Sequence, residues 1–87
     1  KIFKLLGAVP NPFKESTEIK FRLKSDSDIH LTIYDVTGKV VRIIDFSAAA
    51  GINNFKLNKN QLAGPGMYYF QLDANNESAT GKLVLID

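Results

Sequence analysis

The chain has 87 residues, of which 45% are hydrophobic and 23% are charged, and its formal net charge is +2. A chain of this length holds one hydrophobic core, so we predict a single domain spanning residues 1–87. The small positive charge argues against nucleic acid as a partner. Cysteine is absent, which excludes disulfides and thiolate chemistry. No apolar run approaches the roughly 20 residues of a membrane-spanning helix, so no membrane span is predicted.

Alternating apolar and polar residues predict short strands along the first half of the chain. Residues 1–9 are interpreted as a strand, centred on 2–6, or as the junction to an upstream domain. Apolar side chains occupy every second position of residues 17–23, which is typical of a half-buried strand. A second alternating run, residues 29–34, leads towards Gly38, where a short hairpin with a bulge requires positive φ.

The second half of the chain predicts four more strands. Residues 40–46 are apolar on both faces, which favours a central strand or one covered on both sides. Residues 47–51 break the pattern and are interpreted as a connection between two sheets. Alternation resumes at 52–57, and the sequence Gly-Pro-Gly before residue 67 precedes the strands predicted at 67–74 and 80–86.

About seven short strands separated by turns are typical of an antiparallel sandwich. The predicted fold class is therefore all-β, an antiparallel Ig-like β-sandwich of about seven strands. The cysteine and tryptophan landmarks of antibody domains are absent, so the word Ig-like describes only the architecture.

Side chains suited to catalysis or metal binding are few. The single histidine, His30, lies on the polar side of its strand, where an ordinary exposed residue is the favoured interpretation. The segments 26–28 and 73–77 are rich in oxygen ligands but lack the length and glycine placement of a calcium loop, so Asx turns are favoured. We predict no catalytic residue, no metal site, no cofactor and no enzymatic activity.

Three tyrosines, Tyr34, Tyr68 and Tyr69, are candidates for stacking on a sugar ring. Tyr68 and Tyr69 are consecutive in a strand and point to opposite faces, so at most one of them lies beside Tyr34. Packing in the core or at its rim is favoured for all three. Two alternative functions are left open: a carbohydrate-binding module and a structural Ig-like module of an extracellular enzyme. An exposed aromatic platform would distinguish the carbohydrate-binding module from the structural one.

Two strands raise a question about what lies beside them. Residues 18–24 carry charged side chains at every second position, which we interpret as a solvent-facing stripe that resists edge-to-edge aggregation. In the last strand, Val84 and Ile86 occupy the face that Lys82 marks as exposed. Two alternatives remain: a sheet edge to which a partner adds a strand, or cover by residues 1–6.

Four segments, taken in order, resemble the type A C-terminal sorting domain of the type IX secretion system, which delivers proteins across bacterial outer membranes. The resemblance covers residue 7 onward and rests on order and spacing rather than on any single motif. The chain departs from the family pattern in ending Ile86-Asp87, where a lysine or a short basic tail is frequent. The segments are Pro10-Asn11-Pro12-Phe13, Leu31 to Arg42 with Gly38, Leu62 with Gly66 to Leu72, and Ser78 to Leu85.

The resemblance implies a secretion signal at the C-terminus of a larger protein, passing through the periplasm in transit and then reaching the cell surface or the extracellular space. The implied partners are the outer-membrane translocon, a sortase-like cysteine peptidase that joins the cargo to an anionic lipopolysaccharide, and a covalently attached upstream cargo domain. The domain itself is a substrate. By match to the motif positions, translocon recognition is expected at Pro10, Asn11, Pro12, Gly66, Tyr68, Lys82, Leu83, Val84, Leu85 and Ile86.

Overall fold

The computed structural model describes residues 3–87, and within them the chain is built almost entirely from strands. The first strand, predicted around residues 2–6, continues to Val9, and residue 2 lies outside the described part. Within residues 3–87, one 3-10 turn, Lys59–Gln61, follows the fifth strand. The strands are β1 Phe3–Val9, β2 Ser16–Leu23, β3 Ser27–Asp35, β4 Val40–Ala48, β5 Gly51–Asn58, β6 Gly66–Ala74 and β7 Glu77–Leu85.

The strands form two antiparallel sheets that pack face to face. One sheet has the order β1-β2-β5 and the other has the order β4-β3-β6-β7. The alternating side chains predicted from the sequence point inwards from both sheets and fill one core, because burying one face of each sheet removes the apolar side chains from water. The predicted all-β sandwich is confirmed. Its core includes Ile19, Phe21, Leu57, Leu31, Ile33, Phe70, Leu72 and Leu83.

The prediction of a central or doubly covered strand at residues 40–46 is wrong, because β4 is an edge strand of the four-stranded sheet. A register shift in the pairing of β3 with β4 places Val40 opposite Tyr34, on the outer face of the sheet. Val40 is 45% exposed and Ile43, on the same face, is 53% exposed. The apolar residues on this side of β4 therefore form an exposed patch.

The connection predicted at residues 47–51 does carry the chain from one sheet to the other, although it is shorter than expected. The strand β4 continues to Ala48 and β5 already begins at Gly51. The hairpin between β3 and β4 contains Gly38 at φ 89°, a conformation that glycine adopts without strain. The predicted hairpin turn and the predicted change of sheet are both confirmed.

One glycine in β7 shapes the core. Gly81 lies directly opposite Phe70 in the pairing of β6 with β7, on the inner face of the sheet. A Cβ atom on Gly81 would lie 2.5 Å from Cζ of the Phe70 ring, which is closer than van der Waals contact permits. The Phe70 ring therefore fills the space that a side chain at residue 81 would need.

Candidate recognition site at the end of the last strand

The last strand, β7, lies at an edge of the four-stranded sheet, as one of the two sequence alternatives required. Backbone groups of successive residues in an antiparallel strand point alternately to its two sides. The backbone N–H and carbonyl groups of the odd-numbered residues of β7 point towards β6, and those of the even-numbered residues point away from it. The contacts of Lys82, Val84 and Ile86 described below show this. An exposed row of such groups is a template for pairing with another strand.

The side chain of Asn11 occupies part of this row. Its Nδ2 donates a hydrogen bond to the carbonyl of Lys82 at 2.7 Å, and its Oδ1 accepts one from the backbone N–H of Val84 at 2.9 Å. A carboxamide has the same donor and acceptor as a peptide group. Asn11 therefore pairs with β7 in the way that the backbone of a neighbouring strand would.

Phe13 continues the cover with its own backbone. Its N–H donates to the carbonyl of Val84 and its carbonyl accepts from the N–H of Ile86, both at 2.9 Å, which makes a parallel bridge beside Leu85. The Phe13 side chain is only 2% exposed and belongs to the core. This burial anchors the segment, so residues 11–13 stay against the edge from Lys82 to Ile86.

The two prolines shape the outer side of the same segment. Pro10 and Pro12 are exposed, and their peptide bonds with the preceding residues are cis. The carbonyl of Pro10 accepts a hydrogen bond from the hydroxyl of buried Thr17 at 2.6 Å, which fixes the segment to β2. Because proline has no N–H, positions 10 and 12 offer no donor to a further strand.

The sequence alternative of cover by residues 1–6 holds only in part for the described part of that segment, because β1 contacts β7 but does not pair with it. Residues 3–6 belong to β1, which pairs with β2, and residues 1 and 2 lie outside the described part. The cover over the end of β7 comes from residues 11–13, a contact that the sequence interpretation missed. The available signal was an asparagine between two prolines. The prolines have no N–H to donate to a neighbouring strand, whereas the asparagine carboxamide offers both a donor and an acceptor.

Three of the expected recognition residues are buried. Leu83 and Leu85 are 0% and 4% exposed and face the core from β7. Tyr68 is 4% exposed, and its hydroxyl donates to the carbonyl of Gly64 at 2.5 Å and accepts from the N–H of Ala63 at 3.1 Å. These side chains hold the core and the turn before β6, so they cannot be touched from outside the folded domain.

The other expected residues are accessible and lie at the same end of the sandwich. Gly66 is exposed and pairs opposite Leu85, which places the start of β6 beside the end of β7. Val84 is half-buried and Ile86 is 42% exposed. The structure thus brings the accessible members into one surface, consisting of Pro10, Asn11, Pro12, Gly66, Lys82, Val84 and Ile86.

The three tyrosines are arranged as the sequence predicts, with at most one of Tyr68 and Tyr69 beside Tyr34. Tyr34 and Tyr69 lie directly opposite each other in the pairing of β3 with β6, and Tyr68 points to the core instead. Tyr69 is 44% exposed and is followed across the sheet by Lys82. One of the two consecutive tyrosines therefore does lie beside Tyr34.

Polar groups elsewhere bond mainly to one another. Nδ1 of His30 lies 2.5 Å from a carboxylate oxygen of Asp45; the His30 side chain is half-buried and the Asp45 side chain is exposed. The carboxylate of Asp73 accepts hydrogen bonds from the hydroxyl of Ser78 and from Gln71, and the Ser78 bond is the main cause of its lowered pKa. Among residues 3–87 no three acidic, histidine or cysteine side chains cluster as metal ligands would.

Of the two oxygen-rich segments, 73–77 contains a turn, whereas 26–28 leads directly into β3. Asp26 accepts a hydrogen bond from the N–H of Ala50 at 2.8 Å, and Asn75 and Asn76 have φ of 49° and 65° in the turn between β6 and β7. Asparagine tolerates this left-handed geometry, so the turn at residues 75 and 76 agrees with the expectation for 73–77, whereas the Asp26 bond reaches 24 residues along the chain and is not an Asx turn. In the part of the chain that the structure describes, no helix has the length and apolar character needed to cross a membrane.

Comparison with known proteins identifies a family. The model of the secretion system C-terminal sorting domain matches residues 8–86. The fold is similar to part of dimeric latent PorU from Porphyromonas gingivalis, with a TM-score of 0.67 and 19% identity over 97% of this chain and 9% of that one. It is also similar to part of a β-glucosidase from Kluyveromyces marxianus, with a TM-score of 0.60 and 7% identity over 98% of this chain and 14% of that one.

A third solved structure has a similar size. The sensor domain of the anti-sigma factor RsgI4 in Pseudobacteroides cellulosolvens has a TM-score of 0.56 and 16% identity, over 97% of this chain and 94% of that one. At these identities the structural likenesses show the fold alone. No curated protein matches the chain. Because the family match spans nearly all of the described sandwich, the chain belongs to the family of secretion system C-terminal sorting domains, which are the sorting signals of the type IX system.

Proposed function

We propose that the translocon reads this sorting signal from one surface, which we call the composite edge and define as residues 10–13 together with residues 82–86. The observation that carries the proposal is the pair of hydrogen bonds between the Asn11 side chain and the backbone of Lys82 and Val84, which join positions 71 and 73 residues apart. The composite edge exists only in the folded domain. The signal is therefore a surface, and a peptide of the last residues alone lacks half of it.

The accessible chemistry of the composite edge suits recognition by another protein. It combines the two exposed proline rings, the ammonium group of Lys82 and the apolar side chains of Val84 and Ile86. Rigid apolar groups beside a charge give a partner both contact area and a fixed orientation. The buried members of the expected set, such as Leu83, contribute by holding this surface in shape.

The rest of the proposed route follows the family resemblance. The domain passes through the periplasm attached to its cargo, the translocon carries both across the outer membrane, and a sortase-like peptidase separates them at the cell surface. Residues 3–9 form a strand paired with β2. A peptidase needs an extended, unpaired segment, so we place the cut upstream of β1. The domain is a substrate in each of these steps.

A reporter fused ahead of residues 1–87 tests the function in a host with the translocon. Deleting the last five residues is a poor test, because Leu83 and Leu85 are in the core and their loss unfolds the sheet. The informative variant is Ile86→Asn, since Ile86 is 42% exposed. Its matched control is Ile52→Asn, because Ile52 is 50% exposed and lies on β5 in the other sheet.

We expect Ile86→Asn to lower the surface yield of the reporter about tenfold, equivalent to about 1.4 kcal/mol of lost recognition. The Ile52→Asn control should be exported like the unchanged domain, and the unfolding temperatures of the two purified variants should agree. Equal export of both variants would show that the composite edge is not the surface that is read. A folded, unchanged domain that leaves the reporter in the periplasm would contradict the sorting function itself in this chain.

A carbohydrate-binding role is the second candidate, and the observation in its favour is the pair Tyr34 and Tyr69 on the outer face. Aromatic rings on a sheet face can stack on the apolar faces of sugar rings. Affinity electrophoresis through gels containing soluble polysaccharides tests it. Retardation that disappears in Tyr69→Ala supports this role, and unretarded migration in every polysaccharide contradicts it.

A further inference from the structure

A second candidate site lies at the other end of β7. The strands β1 and β7 are edge strands of their two sheets, and a groove of about 740 Å³ lies between them. Residues 3–5 of β1 and residues 78–80 of β7 form its walls, and Arg22 and Lys24 complete the lining. The groove opens to solvent and is separate from the composite edge.

The charges lining the groove have one sign. Lys4 lies opposite Arg22 in the pairing of β1 with β2, and Lys24 follows the end of β2. All three are exposed, and no acidic side chain is among the residues lining the groove. Clustered cations of this kind attract carboxylates and guide their approach. The charged stripe predicted from residues 18–24 therefore ends at a concave surface.

The backbone on the β7 side of the groove offers a row of hydrogen-bonding groups. Ser78 and Thr80 are even-numbered residues of β7, so their N–H and carbonyl groups point away from β6. The segment that covers the strand reaches only from Lys82 to Ile86. Among residues 3–87, no strand pairs with the outer side of β7 at residues 78–81.

We propose that this groove binds an extended acidic segment of a partner protein, which adds to the sheet as a strand beside Ser78 and Thr80. Alternate side chains of an added strand share one face. Carboxylates at every second position of the partner therefore face the wall that carries Lys4, Arg22 and Lys24. The half-buried apolar side chains of the groove, Leu5 and Ala79, exclude water from the paired backbone.

The test uses residues 1–87 labelled with ¹⁵N and a blocked peptide of about eight residues with alternating glutamate and threonine, long enough to pair as a strand. A peptide with lysine in place of glutamate is the control. We expect the acidic peptide to shift the amide resonances of Ser78 and Thr80 and to slow the exchange of the Thr80 N–H. The lysine peptide should leave these resonances unchanged.

Variants separate the charge from the backbone. Lys24→Gln should weaken binding twofold to fivefold, since an exposed ion pair contributes about that factor. The matched control is Lys20→Gln, on the same face of β2 but outside the groove lining, which should bind as the unchanged chain does. Thr80→Pro removes an outward N–H without removing a bond to β6, and should abolish the shift that the acidic peptide causes in the Ser78 amide resonance.

Several results would overturn the proposal: no binding of the acidic peptide, equal binding of the lysine peptide, or equal weakening by Lys24→Gln and Lys20→Gln. Shifts confined to residues 82–86 would place the binding at the composite edge and would overturn it as well. If Thr80→Pro does not fold, the comparison of Lys24→Gln with Lys20→Gln decides. None of these outcomes depends on export, so the sorting function is tested separately.

Discussion

Replacing Asn11 by alanine removes both side-chain hydrogen bonds that hold the end of β7, to Lys82 at 2.7 Å and to Val84 at 2.9 Å. A hydrogen bond contributes about 0.5 to 1.5 kcal/mol net, and the two together contribute about 1 to 3 kcal/mol. Because Asn11 is exposed, water can satisfy the groups it leaves. We therefore expect the free energy of unfolding to fall by about 1 to 2 kcal/mol.

This loss is large for so small a domain. A chain of this length has a free energy of unfolding of about 4 to 13 kcal/mol. Each kcal/mol shifts the unfolding temperature of such a domain by about 4 to 8 °C, so Asn11→Ala should unfold about 4 to 16 °C lower. Thermal and urea unfolding followed by circular dichroism measure the shift. Hydrogen exchange at the Val84 amide should accelerate in the same variant.

Two further variants make the measurement specific. Asn60 is an exposed residue of the 3-10 turn, and Asn60→Ala should change the free energy of unfolding by less than about 0.5 kcal/mol. Asn11→Asp keeps the acceptor for Val84 but places a carboxylate oxygen against the carbonyl of Lys82, so we expect it to lose at least as much stability as Asn11→Ala at neutral pH. If Asn11→Ala unfolds at the same urea concentration as Asn60→Ala, Asn11 does not hold the edge, and the reasoning that defines the composite edge fails.

Three other predictions concern the core and the acid range. Tyr68→Phe should lower the free energy of unfolding by about 1 to 3 kcal/mol, because it removes the hydroxyl that holds the turn before β6. In the same urea titration Tyr69→Phe, at an exposed site, should change it by less than about 0.5 kcal/mol, and equal effects would contradict the role given to that hydroxyl. Gly81→Ala should cost about 1 to 3 kcal/mol through overlap with Phe70, and the cost should shrink in a Phe70→Leu background, whereas additive losses in thermal unfolding would refute the overlap. Because the pKa of Asp73 is lowered, its contribution to the free energy of unfolding is present above the ordinary pKa of 3.8 and is lost as the pH falls through the lower native pKa. The Asp73→Asn variant should therefore lose less stability on acidification than the unchanged chain does. Parallel curves of unfolding free energy against pH would argue against this.

The strand pattern could be predicted from the sequence wherever one face of a strand is buried and the other meets water. The strand β2 shows this, with Ile19 and Phe21 fully buried and their neighbours exposed. The same rule fails for β4, because it assumes that apolar side chains are covered. Ile43 is β-branched and apolar but 53% exposed, and for this reason the sequence pattern wrongly predicted a central or doubly covered strand where the structure has an edge strand. Composition alone does not distinguish an exposed apolar patch from a buried face.

The residues of the candidate site could be collected from the resemblance to a known family, and alternation could separate buried Leu83 from accessible Lys82. The contact that unites them could not be predicted. Whether the carboxamide of Asn11 meets β7 depends on how the loop after β1 crosses the end of the sandwich, which is a property of the whole fold. The groove between β1 and β7 was missed for the same reason, since its walls come from both ends of the chain.

The segments that Asn11 joins are among the first and the last parts of the domain to leave the ribosome. In a chain whose synthesis stops before Lys82, the Asn11 carboxamide lacks both of its hydrogen-bond partners, and the Phe13 ring lacks part of the core in which it is buried. We expect such unfinished products not to be exported, so that the export machinery receives only proteins whose sorting domain has been translated in full. Reporter fusions that end at residue 81 should therefore lose surface yield, because they lack the core residues Leu83 and Leu85 as well as the composite edge.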